Sequence, residues 1–366
     1  MNNKIQKTIQ LFLTFIKIGA FTFGGGYAML PLIQKEIVEK KHWITDNDIL
    51  EIVAISESTP GPIAINAATF VGFRICGFWG ALFATLGVVI PSYLIILIIS
   101  FVLKEFQSIK IIQYAFNGIR AGVLALIIKA LWSMYIQCPK NIISYIIMAC
   151  SFIFTALLNV NYQLFNIRFS NIYYHIKEEM LMIYLELFYI FLKIGAFTFG
   201  GGYAMLPLIQ DEVIAHNWID SQSLIDFIAV SESTPGPFAV NIATYGGAEV
   251  GGIFGSFCAT LGVILPSFII ILIVAKCFIQ FQKSIVIKGC MSGLKPAVVG
   301  LIGSAVISMS STVFIPDGFN TTVFTDISFY ATLIIFLISV VLAFKKLNPI
   351  LIICLSAILG IVCGYI

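Results

Sequence analysis

Two kinds of residue in this chain could act on a small anion, and each kind occurs twice. Lys17 and Lys193 lie inside apolar runs, and each is followed two helical turns later by three glycines: Gly24, Gly25 and Gly26, then Gly200, Gly201 and Gly202. Successive glycines permit left-handed and otherwise forbidden backbone. A helix that resumes near Tyr27 or Tyr203 presents N–H groups without intrahelical acceptors and with partial positive charge. Such an end suits an anion. The second kind is Ser-Glu-Ser-Thr-Pro-Gly-Pro, at Ser56 to Pro62 and unchanged at Ser231 to Pro237. A helix must stop before Pro60 or Pro235, and Pro62 or Pro237 fits the first turn of the next one. Gly61 and Gly236 supply the turn between them. Two breaks in each half give four helix N-termini, and if these converge they can replace the hydration shell of an oxyanion.

Around the breaks stand neutral hydrogen bonders suited to oxyanion oxygens: Ser56, Ser58, Thr59 and Asn66, copied as Ser231, Ser233, Thr234 and Asn241. Each taken singly serves equally to satisfy a helix end. Glu57 and Glu232, three residues before the Pro-Gly-Pro breaks, have three open roles: exchanging protons, pairing with Lys17 or Lys193, or accepting hydrogen bonds from broken backbone. The lysines are costly, since a lysine at the bilayer centre is unfavourable by about 2.5–3.5 kcal/mol on insertion scales. They attract an anion or, alternatively, anchor their segments by reaching toward the membrane surface. The glycines have their own alternative role, which is close helix packing. Arg120 and Lys295 keep a charge in both halves, where interfacial anchoring competes with guiding anions, while Arg74 faces Glu249 and breaks the repeat.

The elements that must position these residues follow from composition. Of 366 residues, 59% are hydrophobic and only 11% charged, against about a quarter charged in soluble domains. The chain is an integral membrane protein. Long apolar runs such as Trp79 to Val102 read as helices, whereas a β-barrel reads as weakly alternating segments of about ten residues. The expected fold is all-α and polytopic.

The eighteen residues from Lys17 to Gln34 recur without change from Lys193 to Gln210, so the chain is a duplication. Residues 1–160 form one repeat, 161–185 a polar, aromatic linker, and 186–366 the second repeat. Further landmarks agree, including Ala84 to Ser92 against Ala259 to Ser267. The apolar segment from Pro349 to Ile366 has no counterpart in the first repeat. Lys35, Lys40 and Lys41 follow the first glycine run, whereas the matching segment of the second repeat holds no lysine or arginine; later in each repeat the bias reverses. Because cytoplasmic loops collect positive charge, the two repeats are expected to be inverted. Three crossings between the repeats satisfy this if each broken segment is a re-entrant hairpin, Leu11 to Val38 turning at the glycines and Asp48 to Cys76 at Thr59 to Pro62. Paired breaks in inverted repeats point to a transporter's binding site at the midplane.

Other functions find no support in the residues. There is no nucleophile with an adjacent base, no phosphate-binding glycine loop and no basic array for nucleic acid. The cysteines form no CxxC and no symmetric set, and His42, His175 and His216 show no metal spacing. No enzyme, cofactor or metal is expected.

At these residues the chain resembles the chromate ion transporter family in its two-repeat form. The resemblance is carried by Phe-Gly-Gly-Gly at Phe23 to Gly26 and Phe199 to Gly202, by Thr-Pro-Gly-Pro at Thr59 to Pro62 and Thr234 to Pro237, and by Gly-Val-x-x-Pro-Ser ending at Ser92 and Ser267. It spans nearly all of both halves and implies export of chromate, with sulfate as a related dianion, from a multi-pass position in the cell (plasma) membrane. With a negative interior, outward movement of an anion is favoured by about 2.3 kcal/mol per charge per 100 mV. The expected mechanism is alternating access, driven by membrane potential or ion exchange. Transport of another small anion, or a scaffold or receptor role without transport, are the alternatives. The lipid bilayer is the evident partner, and the sequence leaves the oligomeric state open, a homodimer included.

Overall fold

The computed structural model describes residues 2–22, 26–45, 48, 52, 55–56, 59–106, 109–156, 179–199, 201–216, 218–277, 284–315, 327–345, 347 and 349–364. These residues are helical with short turns, and no strand occurs among them. The first half contains α1 (Asn2–Phe21), α2 (Gly26–Ile33, continued by a wider-wound stretch Gln34–Lys40), α3 (Ile63–Phe106), α4 (Lys110–Gln137) and α5 (Ile142–Ala156). The second contains α6 (Glu179–Phe197), α7 (Leu206–Ala215, preceded by a 3₁₀ turn Gly202–Met205), α8 (Ser221–Ser233) and α9 (Phe238–Lys276). It closes with α10 (Ile285–Phe314), α11 (Ile327–Phe344) and α12 (Pro349–Gly364). Among the described residues, four stretches are long and apolar enough to cross a membrane: Ile63–Val102, Lys110–Ile136, Phe238–Lys276 and Ile327–Phe344. The protein is therefore an all-α polytopic membrane protein, as its composition requires.

Glycines decide where the chain reverses. α3 is not one rod: Gly77 has φ 68° and ψ −151°, a conformation essentially closed to side chains with a Cβ. The chain turns back there, so that Gly72 and Gly80 pack backbone to backbone and the Thr69 and Thr85 hydroxyls meet at 2.7 Å. The second half repeats this at Gly252 (φ 60°, ψ −148°), with Thr244 and Thr260 at 2.7 Å. The arm before each turn is about 20 Å long, too short for a hydrocarbon core of about 30 Å. The arm after it is long enough to span.

The chain also reverses between α1 and α2 and between α6 and α7. Lys17 Nζ lies 2.9 Å from Glu36 Oε1 although the two are 19 residues apart, a separation that would stretch to roughly 28 Å along one straight helix. Lys193 and Glu212 meet in the same way across the second run. Other glycines are packing residues. Gly19 and Gly87 bring α1 against α3, and Gly195 and Gly262 bring α6 against α9, each leaving no room for a Cβ beside the neighbouring backbone.

The halves also exchange partners. α5 packs on α10 of the second half, at Gly300, while α11 and α12 pack on α4 of the first. The α12 contact is made through Gly118 and Gly122 against Ser356 and Gly360. The terminal apolar segment of the second half thus covers a helix of the first.

Candidate functional site

The Pro-Gly-Pro turns cross from one half to the other. In a Pro-Gly-Pro triplet only the glycine has a backbone N–H, and here it is given to the opposite half. Gly61 N donates to Thr198 O at 2.7 Å, and Gly236 N donates to Thr22 O at 2.9 Å. Thr22 and Thr198 each stand just before a glycine run, so each Pro-Gly-Pro turn is fastened to the other half's glycine turn. Reciprocal contacts of this kind are the mark of a two-fold relation. Gly61 (φ 101°) and Gly236 (φ 115°) sit where only glycine is comfortable, and a Cβ on either would collide with Ser267 or Ser92 of the opposite half. In the second half, Tyr203 also stacks on Phe238 with ring centroids 5.1 Å apart. The glycine turn there meets the helix that follows its own Pro-Gly-Pro. Each Pro-Gly-Pro turn thus meets the segment just before the other half's glycine run.

Local hydrogen bonds explain how each turn is held. Asn66 Nδ2 donates to Thr59 Oγ1 (3.0 Å) and Pro60 O (3.1 Å), and Asn241 Nδ2 to Ser231 O and Thr234 Oγ1 (both 3.1 Å). Both asparagines are fully buried. Their amide donors brace the turns, so their role in the structure is first that of a scaffold. α9 begins with Pro237 as its N-cap and without a side-chain cap, one position earlier than a first-turn proline. Its leading N–H groups therefore have neither an intrahelical acceptor nor a capping side chain.

Next to these turns lies a set of buried side-chain atoms without hydrogen-bond partners: the hydroxyls of Ser56, Ser231 and Ser267, and Asn66 Oδ1. Native proteins leave few such groups, and each one calls for an explanation such as a bound ion or water. The buried Glu232 carboxylate lies beside the Tyr203 hydroxyl and feels the positive charge of Lys129 from the first half. Ser92, the counterpart of Ser267, is instead engaged with the second half, donating to Asn241 Oδ1 at 2.8 Å.

Several expected site residues take other roles or lie elsewhere. Lys17 and Lys193 are not aimed as free cations at the turns. Lys17 pairs with Glu36, which also receives Lys40 Nζ at 2.8 Å, and Lys193 pairs with Glu212. Of the pairings open to Glu232 from sequence, Lys193 is thus taken by another carboxylate. Thr59 and Thr234 turn their hydroxyls to their own helices, onto Ile55 O and Val230 O. Ser233 does the same onto Ala229 O. Gly24, Gly25, Glu57, Ser58 and Gly200, and the side chain of Tyr27, lie outside the described residues.

Three functional neighbours escaped the sequence reading. Glu36 and Glu212 had a signal, because Gln-x-Glu ends the glycine segment in both halves. Asp226 had one too, since Glu51 stands at the matching place. Arg120 grips Asp226 with two parallel bonds, Nε to Oδ1 at 2.6 Å and a terminal nitrogen to Oδ2 at 2.7 Å. Such a fork is strong and directional, and it ties α4 of the first half to α8 of the second. Arg120 is therefore an inter-half clamp rather than a surface anchor. Arg74 lies within α3 and pairs with Asp48.

These features define a polytopic membrane protein of two interlocked halves, with buried polar groups around paired helix breaks. Comparison with known proteins gives the class a family. The profile of the chromate transporter family matches residues 9–172 and again residues 185–361, and the chain belongs to that family of membrane transporters. It is 26% identical to the chromate transport protein of Cupriavidus metallidurans, over 96% of this chain and 92% of that one. It is also 26% identical to the chromate transport protein of Pseudomonas aeruginosa, over 82% of this chain and 80% of that one. An uncharacterised transporter of Methanocaldococcus jannaschii is 28% identical over 96% of this chain and 93% of its own length. No solved structure matches.

Proposed function

We propose that this protein exports chromate, with sulfate as a related substrate, across the cell membrane by alternating access. The anion sits where the crossed Pro-Gly-Pro turns and the glycine turns meet. The observation that carries this reading is the set of buried, unpartnered hydroxyls of Ser56, Ser231 and Ser267, together with the uncapped start of α9. Hydroxyl and backbone N–H donors suit the oxygens of a tetrahedral dianion. Lys129 offsets the negative charge of Glu232, so the carboxylate need not repel the substrate. The names of the Cupriavidus and Pseudomonas relatives support chromate as the substrate.

In this reading Gly24, Gly25, Gly26 and Tyr27, with Gly200, Gly201, Gly202 and Tyr203, contribute helix ends, and Lys17 and Lys193 raise the local potential from their ion pairs. Residues 1–160 and 186–366 act as inverted repeats joined by the linker 161–185. The arms that are too short to span then form re-entrant hairpins, and the lysine bias after the first glycine run supports the inversion. A dianion moving out of a cell with a negative interior gains roughly 4.6 kcal/mol per 100 mV, which suffices as the driving force without nucleotide.

The test is flux in proteoliposomes. Chromate uptake into vesicles should follow an imposed potassium diffusion potential and should be competed by sulfate. A Ser56→Ala, Ser231→Ala double variant should raise the half-saturating chromate concentration about tenfold while keeping its melting temperature. Flux indifferent to the potential would sink electrogenic export. Unchanged chromate affinity in the double variant would remove the anion from this site.

A further inference from the structure

The two halves differ in a lateral groove near the turn at Gly77. Lys4, Ile5, Thr8 and Ile9 of α1 face Trp79 and Phe83 of α3 across a cavity of about 330 Å³. Ile5, Ile9 and Trp79 are all more than half exposed, so the groove opens sideways and presents apolar walls. The Thr8 hydroxyl in its wall is already satisfied, since it donates to Lys4 O at 3.0 Å. Lys4 at the rim is exposed and has no ion-pair partner among the described residues. Lys7, one turn further along α1, lies 6.0 Å from the Trp43 ring and adds a second positive charge. A tryptophan and lysines at one end of a spanning arm are the usual furniture of the headgroup level.

The second half supplies an internal control. Tyr184 holds the position of Thr8, and Met180 that of Lys4. Tyr184 packs at a tilt against Phe254, the counterpart of Trp79, with ring centroids 6.2 Å apart, and it abuts Gly251 at the turn. The protein thus fills this groove with its own aromatic ring in one half. In the other half it leaves the groove open and places a cation at the mouth.

We propose that the first-half groove is a binding site for one anionic phospholipid. An acyl chain lies between α1 and α3, and the headgroup phosphate pairs with Lys4. Apolar walls select the chain, while the unpaired ammonium selects a negative headgroup over a zwitterionic one.

Native mass spectrometry of the full chain, delipidated and titrated with phosphatidylglycerol or phosphatidylcholine, tests this. The wild type should bind one phosphatidylglycerol about fivefold more tightly than phosphatidylcholine, equivalent to ~1 kcal/mol for a basic residue near a charged surface. Lys4→Gln should abolish that preference while keeping a lipid, and Thr8→Tyr should lose the lipid altogether. Tyr184→Thr should open a second groove that takes lipid without headgroup preference. Inorganic phosphate should not compete. Because Lys4 is on the surface, Lys4→Gln should fold even where Thr8→Tyr does not. Equal binding of the two lipids by the wild type, an undiminished preference in Lys4→Gln, or displacement by inorganic phosphate would each overturn the proposal.

Discussion

The two glycine turns carry the same eighteen residues but are closed to different degrees. In the second half the Lys193 and Glu212 side chains are only 12% and 13% exposed. In the first half Lys17 is 56% exposed, and Glu36 is shared with Lys40. The Pro-Ser motif shows the same imbalance, because Ser92 is bonded to the second half while Ser267 has no partner. Identical local sequence therefore ends in unequal surroundings. The proposed alternating access calls for such inequality, since each half would visit both conditions in turn.

The harshest way to probe the comparison is to add a methyl group at the crossing points. Gly61→Ala and Gly236→Ala combine an unfavourable φ with a collision against the opposite half and should each destabilise the protein by about 3 kcal/mol. Transport should be abolished. Gly252→Ala carries a similar φ but meets open space, so it should be clearly milder in a thermal melt.

Next comes the ion pair itself. Lys193→Met strands a largely buried Glu212, with His216 Nδ1 at 3.9 Å, and should cost about 3 kcal/mol. Lys17→Met leaves Glu36 paired with Lys40 in a more open setting and should cost less than about 1 kcal/mol. Equal losses in chemical denaturation would contradict the asymmetry. Arg120→Lys removes the fork onto Asp226 and should cost roughly 2 kcal/mol.

A smaller contrast separates the two serines. Ser92→Ala should lower stability by about 1 kcal/mol through its lost bond to Asn241. Ser267→Ala should leave stability nearly unchanged and instead weaken chromate binding.

The helix caps give the smallest effect. Thr45 and Asp48 form a reciprocal cap, with Thr45 N donating to Asp48 Oδ2 at 2.7 Å. In the second half the matching cap is Asp220, which accepts from Gln222 N and Ser223 N, both at 2.9 Å. Partial burial acts to raise the Asp220 pKa, but donation from the Ser223 hydroxyl and from backbone N–H groups outweighs it and holds the carboxyl below its ordinary value. Its stabilisation is therefore complete above pH ~4, the unfolded value, and is lost as pH falls through the lower folded value. Asp220→Asn should remove this acid-dependent part, amounting to less than about 1 kcal/mol, as seen in melts between pH 2 and 5.

Much of this was legible in the residues because the duplication left the motifs intact. The helical class follows from apolar runs that no soluble core or barrel accommodates. The breaks follow from the conformational freedom of glycine and from the N–H that proline lacks. The partners of Lys17 and Lys193 were harder to read. A carboxylate 19 residues away is a neighbour only after the chain has reversed, and the obvious acid, Glu232, lies with Tyr203 and Lys129 instead. Arg120 and Asp226, separated by 106 residues, carry no mutual mark in the sequence beyond a charge kept in each repeat.

The sequence by itself determined that the chain is helical, lies in a membrane, is doubled, and has helix-breaking glycine and Pro-Gly-Pro motifs in each half. Those properties are local, since hydrophobicity, glycine freedom and proline geometry act over a few residues. Only the tertiary structure decided that each Pro-Gly-Pro turn gives its single N–H to the opposite half, that the terminal helix covers the first half, and that one lysine is sealed while its twin is open. These depend on which distant surfaces meet. Identical stretches acquire different neighbours once they fold into one asymmetric whole.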